Sequence, residues 1–580
     1  SSRVRTWTRQ YSVYRTCTQH DMTTPTPAPA VFHDPPTLWR SLTTWRPAVL
    51  KRLVAPYIAE FLGSFFVVLA LCFLLQAGDV AWGPTGLGFV VLVTVYSTAS
   101  ASGGLVNPVV TLAFGLVGRI PWRTVLGYCL AQASAGALAG HIAWELRADS
   151  QVFESSASVM WDAPAFKNAG SLASGVCGFA VEALYSMIIG FTALSCMPPG
   201  ICISKTSCNQ FFALAVGFAT IAAGHAAVGI SPCLFNPAGT LALVIQGRFG
   251  TAWALALAGS QILGACGAAV IHGAVRAEGG KVTSCFGMAS KLTSEFVGTF
   301  FVVLTVSLSR FTFTEAAALA QVHKGMPEDS STAQAFPYGG MMVSMVYSLC
   351  SISGAHFNPA VTVAVVFTGR GVCGPAEGFL YVAMQSAAGV MAGVLSGLFS
   401  RSSAPDDFSL GPQQGYTWAA AAFVECSFTV AIALVVLCTT TIASRRYPKA
   451  LPVDRSFNYG FAVGMCTGAS AYACERISGG ELNPAISLGV FAARVSRRLV
   501  SAADTLSFRA GLREAVTELF AHSANFWILT GLQLAAGLLA ALLFAALHPL
   551  LYKTDPLLAA PPLGPPSSAA DSRGRPAAGP

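Results

Sequence analysis

Long apolar runs broken by short polar stretches fill most of the chain. Crossing a bilayer as a helix takes about 20 apolar residues. Runs of that kind lie at 54–76, 84–102, 121–146, 170–196, 209–229, 249–275, 288–309, 337–353, 373–399, 416–442, 457–474 and 517–548. Four shorter apolar runs sit among them, and each begins at an Asn-Pro dipeptide: GGLVNPVVTLAF at Asn107, CLFNPAGTLAL at Asn236, GAHFNPAVTVAV at Asn358 and GGELNPAISLGV at Asn483. The chain has only eight asparagines, so half of them precede a proline. The pattern predicts an all-α membrane protein with twelve spans and four short helices that begin inside the membrane.

Three landmarks recur together and divide the chain into four units. Each unit carries a glutamate in its first span: Glu60, Glu182, Glu295 and Glu425. Each then has its Asn-Pro, and each has a glutamine early in its third span: Gln132, Gln261, Gln385 and Gln533. The Asn-to-Gln separations are 25, 25, 27 and 50, the last stretched by an arginine-rich segment near 494–513. Small residues follow the glutamines, as in Gln132–Gly136–Gly140 and Gln385–Gly389–Gly393, and such spacing lets helices approach closely. Three spans per unit is an odd number, so successive units insert in opposite senses. Two units then make one six-span domain with an inverted 3+3 repeat.

Composition fits this reading. Of 580 residues 54% are hydrophobic and 10% charged, against about 25% charged in soluble domains. The formal net charge of +8 reads as the basic bias of cytoplasmic loops, and no nucleic-acid partner is expected. Lys51, Arg52, Arg119, Arg123, Lys205, Arg370 and the 276–291 and 445–455 segments fall on one side, which puts both termini in the cytoplasm. The 494–513 arginines fall on the other side and break the rule. The sixteen cysteines lie mostly in apolar runs without metal-ligand spacing, so no metal, cofactor or disulfide framework is expected. Residues 1–20 carry four arginines and no acid before Asp21, a pattern open to a transit peptide or a plain cytoplasmic tail. The expected organisation is a disordered tail at 1–50, domains at 51–277 and 278–550, and a Pro/Ala/Ser/Gly-rich disordered tail at 551–580.

Asparagine is a good N-cap and proline suits the first helical position, so Asn-Pro fixes a sharp helix start. Unpaired N–H groups there carry partial positive charge. With neighbouring units inverted, Asn107 meets Asn236 head to head at mid-membrane, and Asn358 meets Asn483. The expected pore constrictions are Asn107, Pro108 and Val109 with Asn236, Pro237 and Ala238, and Asn358, Pro359 and Ala360 with Asn483, Pro484 and Ala485. Two helix starts facing one lumen repel cations, and their amides donate to a passing oxygen. The four glutamates are expected to be structural acceptors for the unwound backbone before each Asn-Pro, with a proton relay as the alternative.

The stretches AEFLGSFF, SGGLVNPVVT and Gln132, and again SEFVGTFF, SGAHFNPAVT and Gln385, resemble the aquaporin (major intrinsic protein) family. The likeness covers roughly 54–275 and 288–548, so the chain looks like a tandem fusion of two aquaporin-like domains. Each would have six transmembrane helices and two re-entrant half-helices. The resemblance implies a channel for water or small neutral solutes such as glycerol, urea, hydrogen peroxide or ammonia. It also implies two pores per chain, a homodimer giving a pseudo-tetramer of pores, and membrane lipid as the other partner. No enzymatic activity is expected. Family members carry an arginine directly after the second Asn-Pro-Ala, where this chain has Gly239 and Ile486; in this the chain is similar to the superaquaporin branch. By the same resemblance the remaining filter positions are Leu87, His225 and Cys233 in the first domain and Tyr338, Ala471 and Gly480 in the second. Loss of a fixed guanidinium widens the filter, which implies solutes larger than water. Two alternatives remain open: that one domain conducts while the other is a scaffold, and that the chain is a twelve-span secondary transporter, which shares the 6+6 architecture. The choice between plasma membrane and an organelle membrane also stays open.

Overall fold

A computed structural model describes residues 48–77, 82–147, 172–197, 210–276, 286–322, 335–399, 410–440, 456–505 and 508–549. The expected N-terminal tail up to residue 47, the boundary at 277/278 and the tail at 551–580 lie outside the described residues. Sixteen helices follow in order. The first eight are α1 Ala48–Ala77, α2 Gly83–Ser102, α3 Pro108–Leu116, α4 Trp122–Glu145, α5 Leu172–Cys196, α6 Phe212–Ala227, α7 Pro237–Ile245 and α8 Thr251–Val275. The second eight are α9 Met288–Val322, α10 Ala335–Ser353, α11 Pro359–Phe367, α12 Pro375–Phe399, α13 Trp418–Thr440, α14 Ser456–Ser478, α15 Pro484–Thr505 and α16 Phe508–Leu547. The fold is all-α, with no strand among the described residues. The first helix begins at Ala48, slightly before the expected domain start at 51.

Among the described residues ten of the twelve predicted spans are long and apolar enough to cross a membrane; α6 and α14 are the exceptions. α6 has 16 described residues and is buried along nearly its whole length. It lies between α2, α5, α9 and α10, so its neighbours rather than lipid surround it. α14 carries Thr467, Ser470, Glu475 and Arg476, which lower its hydropathy.

The ends of the helices show the inversion. In the first half Tyr57 near the start of α1 meets Tyr128 near the start of α4, ring centroids 5.4 Å apart. Arg119, just before α4, donates to the carbonyl of Leu194 at the end of α5 and lies 3.2 Å from His272 Nε2 at the end of α8. So α5 and α8 finish on the face where α4 starts. Burial and nearby Arg276 pull Arg119 down to about 10, which leaves it cationic at neutral pH. In the second half Lys291 at the start of α9 pairs with Glu377 at the start of α12 at 2.8 Å. Tyr381 on α12 and Tyr459 on α14 donate to carbonyls at or just after the end of α10, which fixes the second half in the same sense.

The two halves share one hydrophobic core. Ser344 on α10 donates to the Ala215 carbonyl on α6 at 2.9 Å, and the Tyr185 and Thr305 hydroxyls lie 3.2 Å apart across α5 and α9. The Phe218 and Phe336 rings meet at the same contact. Large apolar side chains such as Phe66, Leu130, Leu255, Phe379, Phe423, Trp527 and Leu542 remain exposed around the outside. That arrangement suits a surface bathed by lipid hydrocarbon.

The fourth Asn-Pro helix departs from expectation. α3, α7 and α11 have 9 residues each, whereas α15 has 22 and carries Arg494, Arg497 and Arg498 on its continuation. The left-handed glycine that stands ten residues after the proline and ends the short helices, Gly118, Gly247 or Gly369, is Arg494 in α15, and the helix it packs on leaves room for the continuation. A Cβ at Gly389, Gly393 or Gly397 of α12 would strike the backbone of Ala485, Gly489 or Ala493, so the glycine stripe admits α15 along its length. The arginines of 494–498 thus extend a half-helix; they do not sit in a free loop.

Candidate functional site

Each Asn-Pro helix starts by the same local device. Asn107, Asn236 and Asn358 are extended at φ near −150°, and in all four helices the asparagine Oδ1 accepts from the N–H two residues on. Those distances are 2.9 Å from Val109, 2.9 Å from Ala238, 2.8 Å from Ala360 and 2.9 Å from Ala485. Proline follows at the first helical position, where its missing N–H costs nothing.

The residue before each asparagine is left-handed: Val106 at φ 43°, Phe235 at 45°, Phe357 at 50° and Leu482 at 53°. Non-glycine residues rarely adopt this conformation, least of all β-branched valine, and it costs about 1–3 kcal/mol. The repeat glutamates hold it. Val106 N–H donates to Glu60 at 2.7 Å, Phe235 to Glu182 at 2.8 Å, Phe357 to Glu295 at 2.8 Å and Leu482 to Glu425 at 3.0 Å. Each carboxylate also accepts from a serine hydroxyl at the end of the preceding helix or shortly after it (Ser102, Ser231, Ser353 or Ser478). Each accepts again from the repeat glutamine, at 2.7 to 2.9 Å. All four glutamates are fully buried. A buried carboxylate with this many donors is held as a fixed acceptor.

The left-handed turn aims the preceding carbonyl across the midline. Asn107 Nδ2 donates to the Phe235 carbonyl at 3.0 Å. In the second half the exchange is reciprocal, with Asn358 Nδ2 to Leu482 O at 3.1 Å and Asn483 Nδ2 to Phe357 O at 3.0 Å. The structure therefore brings Asn107 together with Asn236 and Asn358 with Asn483. Each amide has a second N–H beyond the one used here.

The halves differ in what surrounds these pairs. In the first, a cavity of about 40 Å³ is lined by Asn107, Asn236, Thr220, Leu71, Leu87 and Phe235, among others. A second of about 40 Å³ continues past Leu71, Leu87, Thr220 and Phe235 to Leu75, Pro84 and Cys233. Such volumes hold water, since one molecule needs only about 10–15 Å³ of this kind of space. In the second half Asn358 is 2% and Asn483 0% exposed, against 5% for Asn236. Tyr338, Ala471, Gly480 and Ile486 are buried as well. The Tyr338 hydroxyl is within hydrogen-bonding reach of the Asn483 side chain.

The expected filter residues take varied places. Leu87 and Cys233 line the first-half cavities. Gly239 backs onto them, because a Cβ there would lie 2.8 Å from the lining residue Leu71. His225 is buried with Nε2 2.8 Å from Thr85 Oγ1 and is absent from the lining of both cavities. Two residues escaped sequence reasoning. Arg310 of α9 and Glu481 form a buried ion pair at 2.9 Å beside Asn483. The signals were present: an arginine ending an apolar run at 310, and a glutamate two places before Asn483.

Comparison with known proteins follows the same outline. The sequence profile of the major intrinsic protein family matches residues 48–200, 175–309 and 282–489. Aquaporin NIP1-3 of Oryza sativa subsp. japonica is 31% identical over 205 residues, covering 34% of this chain and 65% of that protein. Probable aquaporin NIP7-1 of Arabidopsis thaliana is 31% identical over 153 residues, covering 24% and 50%. A probable NIP-type aquaporin of Nicotiana alata is 27% identical over 244 residues, covering 41% and 83%.

Proposed function

The chain belongs to the major intrinsic protein family, and we propose that this multi-pass membrane protein is a passive channel for water and small neutral solutes. The first half carries the path. The observation behind this is the contiguous pair of cavities from Asn107 and Asn236 to Leu75 and Cys233, set against the buried Asn358 and Asn483. Two facing helix starts repel cations there, while Asn107, Asn236 and Thr220 offer polar handles in an otherwise apolar wall. The lumen lacks a fixed positive side chain at Gly239, which favours passage of glycerol, urea, hydrogen peroxide or ammonia beside water. The domains run over 51–277 and 278–550, and the second serves in this state as a closed partner of the first. A stopped-flow panel of those solutes on proteoliposomes holding the full chain tests the reading. Saturating, ion-coupled uptake would support a transporter instead, and water-only flux would remove the wider solute range.

We further propose that two copies pair. Inside one chain α5 and α6 pack on α9 and α10. The repeat equivalents of those faces, on α13 and α14 and on α1 and α2, stay uncovered among the described residues. Phe66 is exposed where its counterpart Phe301 is buried, and Val93 where Ser344 bonds to α6. Phe461 is exposed where its counterpart Leu214 is partly buried against the core. A second copy presenting the same faces would close a ring of four six-span units.

A further inference from the structure

α1 and α9 align without gaps from their glutamates, so Leu75 of the first half corresponds to Arg310 of the second. Two residues before the asparagine, the first half has Leu234 and the second has Glu481. Leu75 lines the outer lumen cavity of the first half. In the second half the same place holds an ion pair. Arg310 Nη1 lies 2.9 Å from Glu481 Oε1, and Nη2 donates to the Gly479 carbonyl. The glutamate folds back over Gly479, where a Cβ would lie 2.6 Å from its Oε1, and Gly479 has φ +100°. Glu481 is fully buried, and its Oε2 has no partner among the described residues.

A buried ion pair is a weak source of stability, since desolvation offsets most of its attraction. Inside a bilayer it is more costly still. What this pair does supply is position. One charge comes from the first span and the other from the loop that ends in left-handed Leu482 and Asn483. Together they pin residues 479–482 to α9, next to Tyr338 and Asn483.

We propose that the Arg310–Glu481 pair is a latch that closes the outer lumen of the second half, so that this half is shut by two charged residues where the first half is open between two leucines. The proposal rests on the first half being the conducting path. The latch residues are positioning residues, acting on Asn483 and Tyr338 through the 479–482 loop.

The test is water flux through the full chain in proteoliposomes, with a Thr220→Trp background that fills the first lumen. The double variant R310L/E481L installs the first half's residues and removes both charges of the pair, while Glu475, which also faces Arg310, keeps Arg476 beside it. Added to Thr220→Trp, it should raise flux several-fold, while R310K, which keeps the cation, should not. The reciprocal L75R/L234E on the parent chain should cut flux several-fold. A monodisperse T220W/R310L/E481L protein with flux no higher than T220W overturns the latch. A rise from Tyr338→Leu alone, with none from R310L/E481L, also overturns it. If Thr220→Trp itself leaves flux unchanged, the first-half path fails, and the closed second half fails with it.

Discussion

Asn107 donates through Nδ2 to the carbonyl of Phe235, 3.0 Å away, and Phe235 is the residue immediately before Asn236. One helix start is thus tied to the backbone turn that launches the other. The turn is strained, and Glu182 holds it by accepting the N–H of Phe235. A chain of contacts runs from a buried carboxylate through a left-handed residue to the facing asparagine.

Removing a glutamate should be severe. Glu60→Ala leaves the N–H groups of Leu105 and Val106 and the Gln132 amide without their acceptor. Each buried donor left unpaired costs about 1–3 kcal/mol, so a loss of at least about 3 kcal/mol is expected. Thermal unfolding in detergent measures it. Glu60→Gln, which keeps one carbonyl acceptor, should lose less; equal losses would mean that burial alone matters.

Gly136→Val should damage both fold and flux. A Cβ at 136 would strike the backbone carbonyl of Ala238, the second residue of α7. Overpacking of this kind costs about 1–3 kcal/mol. The push falls on the helix that Asn236 caps, so water permeability should drop beyond the loss of folded protein. Normal flux per folded channel would show that α4 and α7 move apart without disturbing Asn236.

Gly239→Arg should shift selectivity. A side chain at 239 must displace Leu71, which lines both first-half cavities. The narrowed lumen should pass less glycerol and urea relative to water. Isotope-uptake ratios check it, and an unchanged glycerol-to-water ratio would place the solute filter elsewhere.

Self-association should depend on the uncovered repeat faces. Cysteine crosslinking in native membranes is expected to trap dimers through α1–α2 of one copy and α13–α14 of another. Phe66→Arg and Phe461→Arg should each weaken them. Dimers insensitive to both changes would require another surface.

Much of this was legible in the sequence, for physical reasons. Asn-Pro encodes a helix start almost by itself, so Asn107, Asn236, Asn358 and Asn483 are N-caps as the dipeptide predicts. The glutamate and glutamine spacing was visible because each must reach the same loop from a fixed depth. Helix length turns on one position: left-handed Gly118, Gly247 and Gly369 end the short helices, and Arg494 stands at that place in α15. The room for its continuation, beside Gly397 of α12, appears only when the two helices touch. Arg310 and Glu481 each stand out in the sequence, but they are 171 residues apart, so their pairing appears only when α9 and the 479–482 loop meet. His225 was placed by spacing alone, which does not reveal that its ring turns to Thr85.

The claim at the centre is that the lumen between Asn107 and Asn236 carries the flux. Thr220 lines both first-half cavities, so Thr220→Trp fills that lumen without touching either asparagine. Stopped-flow water permeability of proteoliposomes holding Thr220→Trp should fall close to that of protein-free liposomes. A tryptophan at the second-half counterpart Thr467, on α14, should leave permeability near the parent value. Parent-level flux through correctly folded Thr220→Trp would contradict the account.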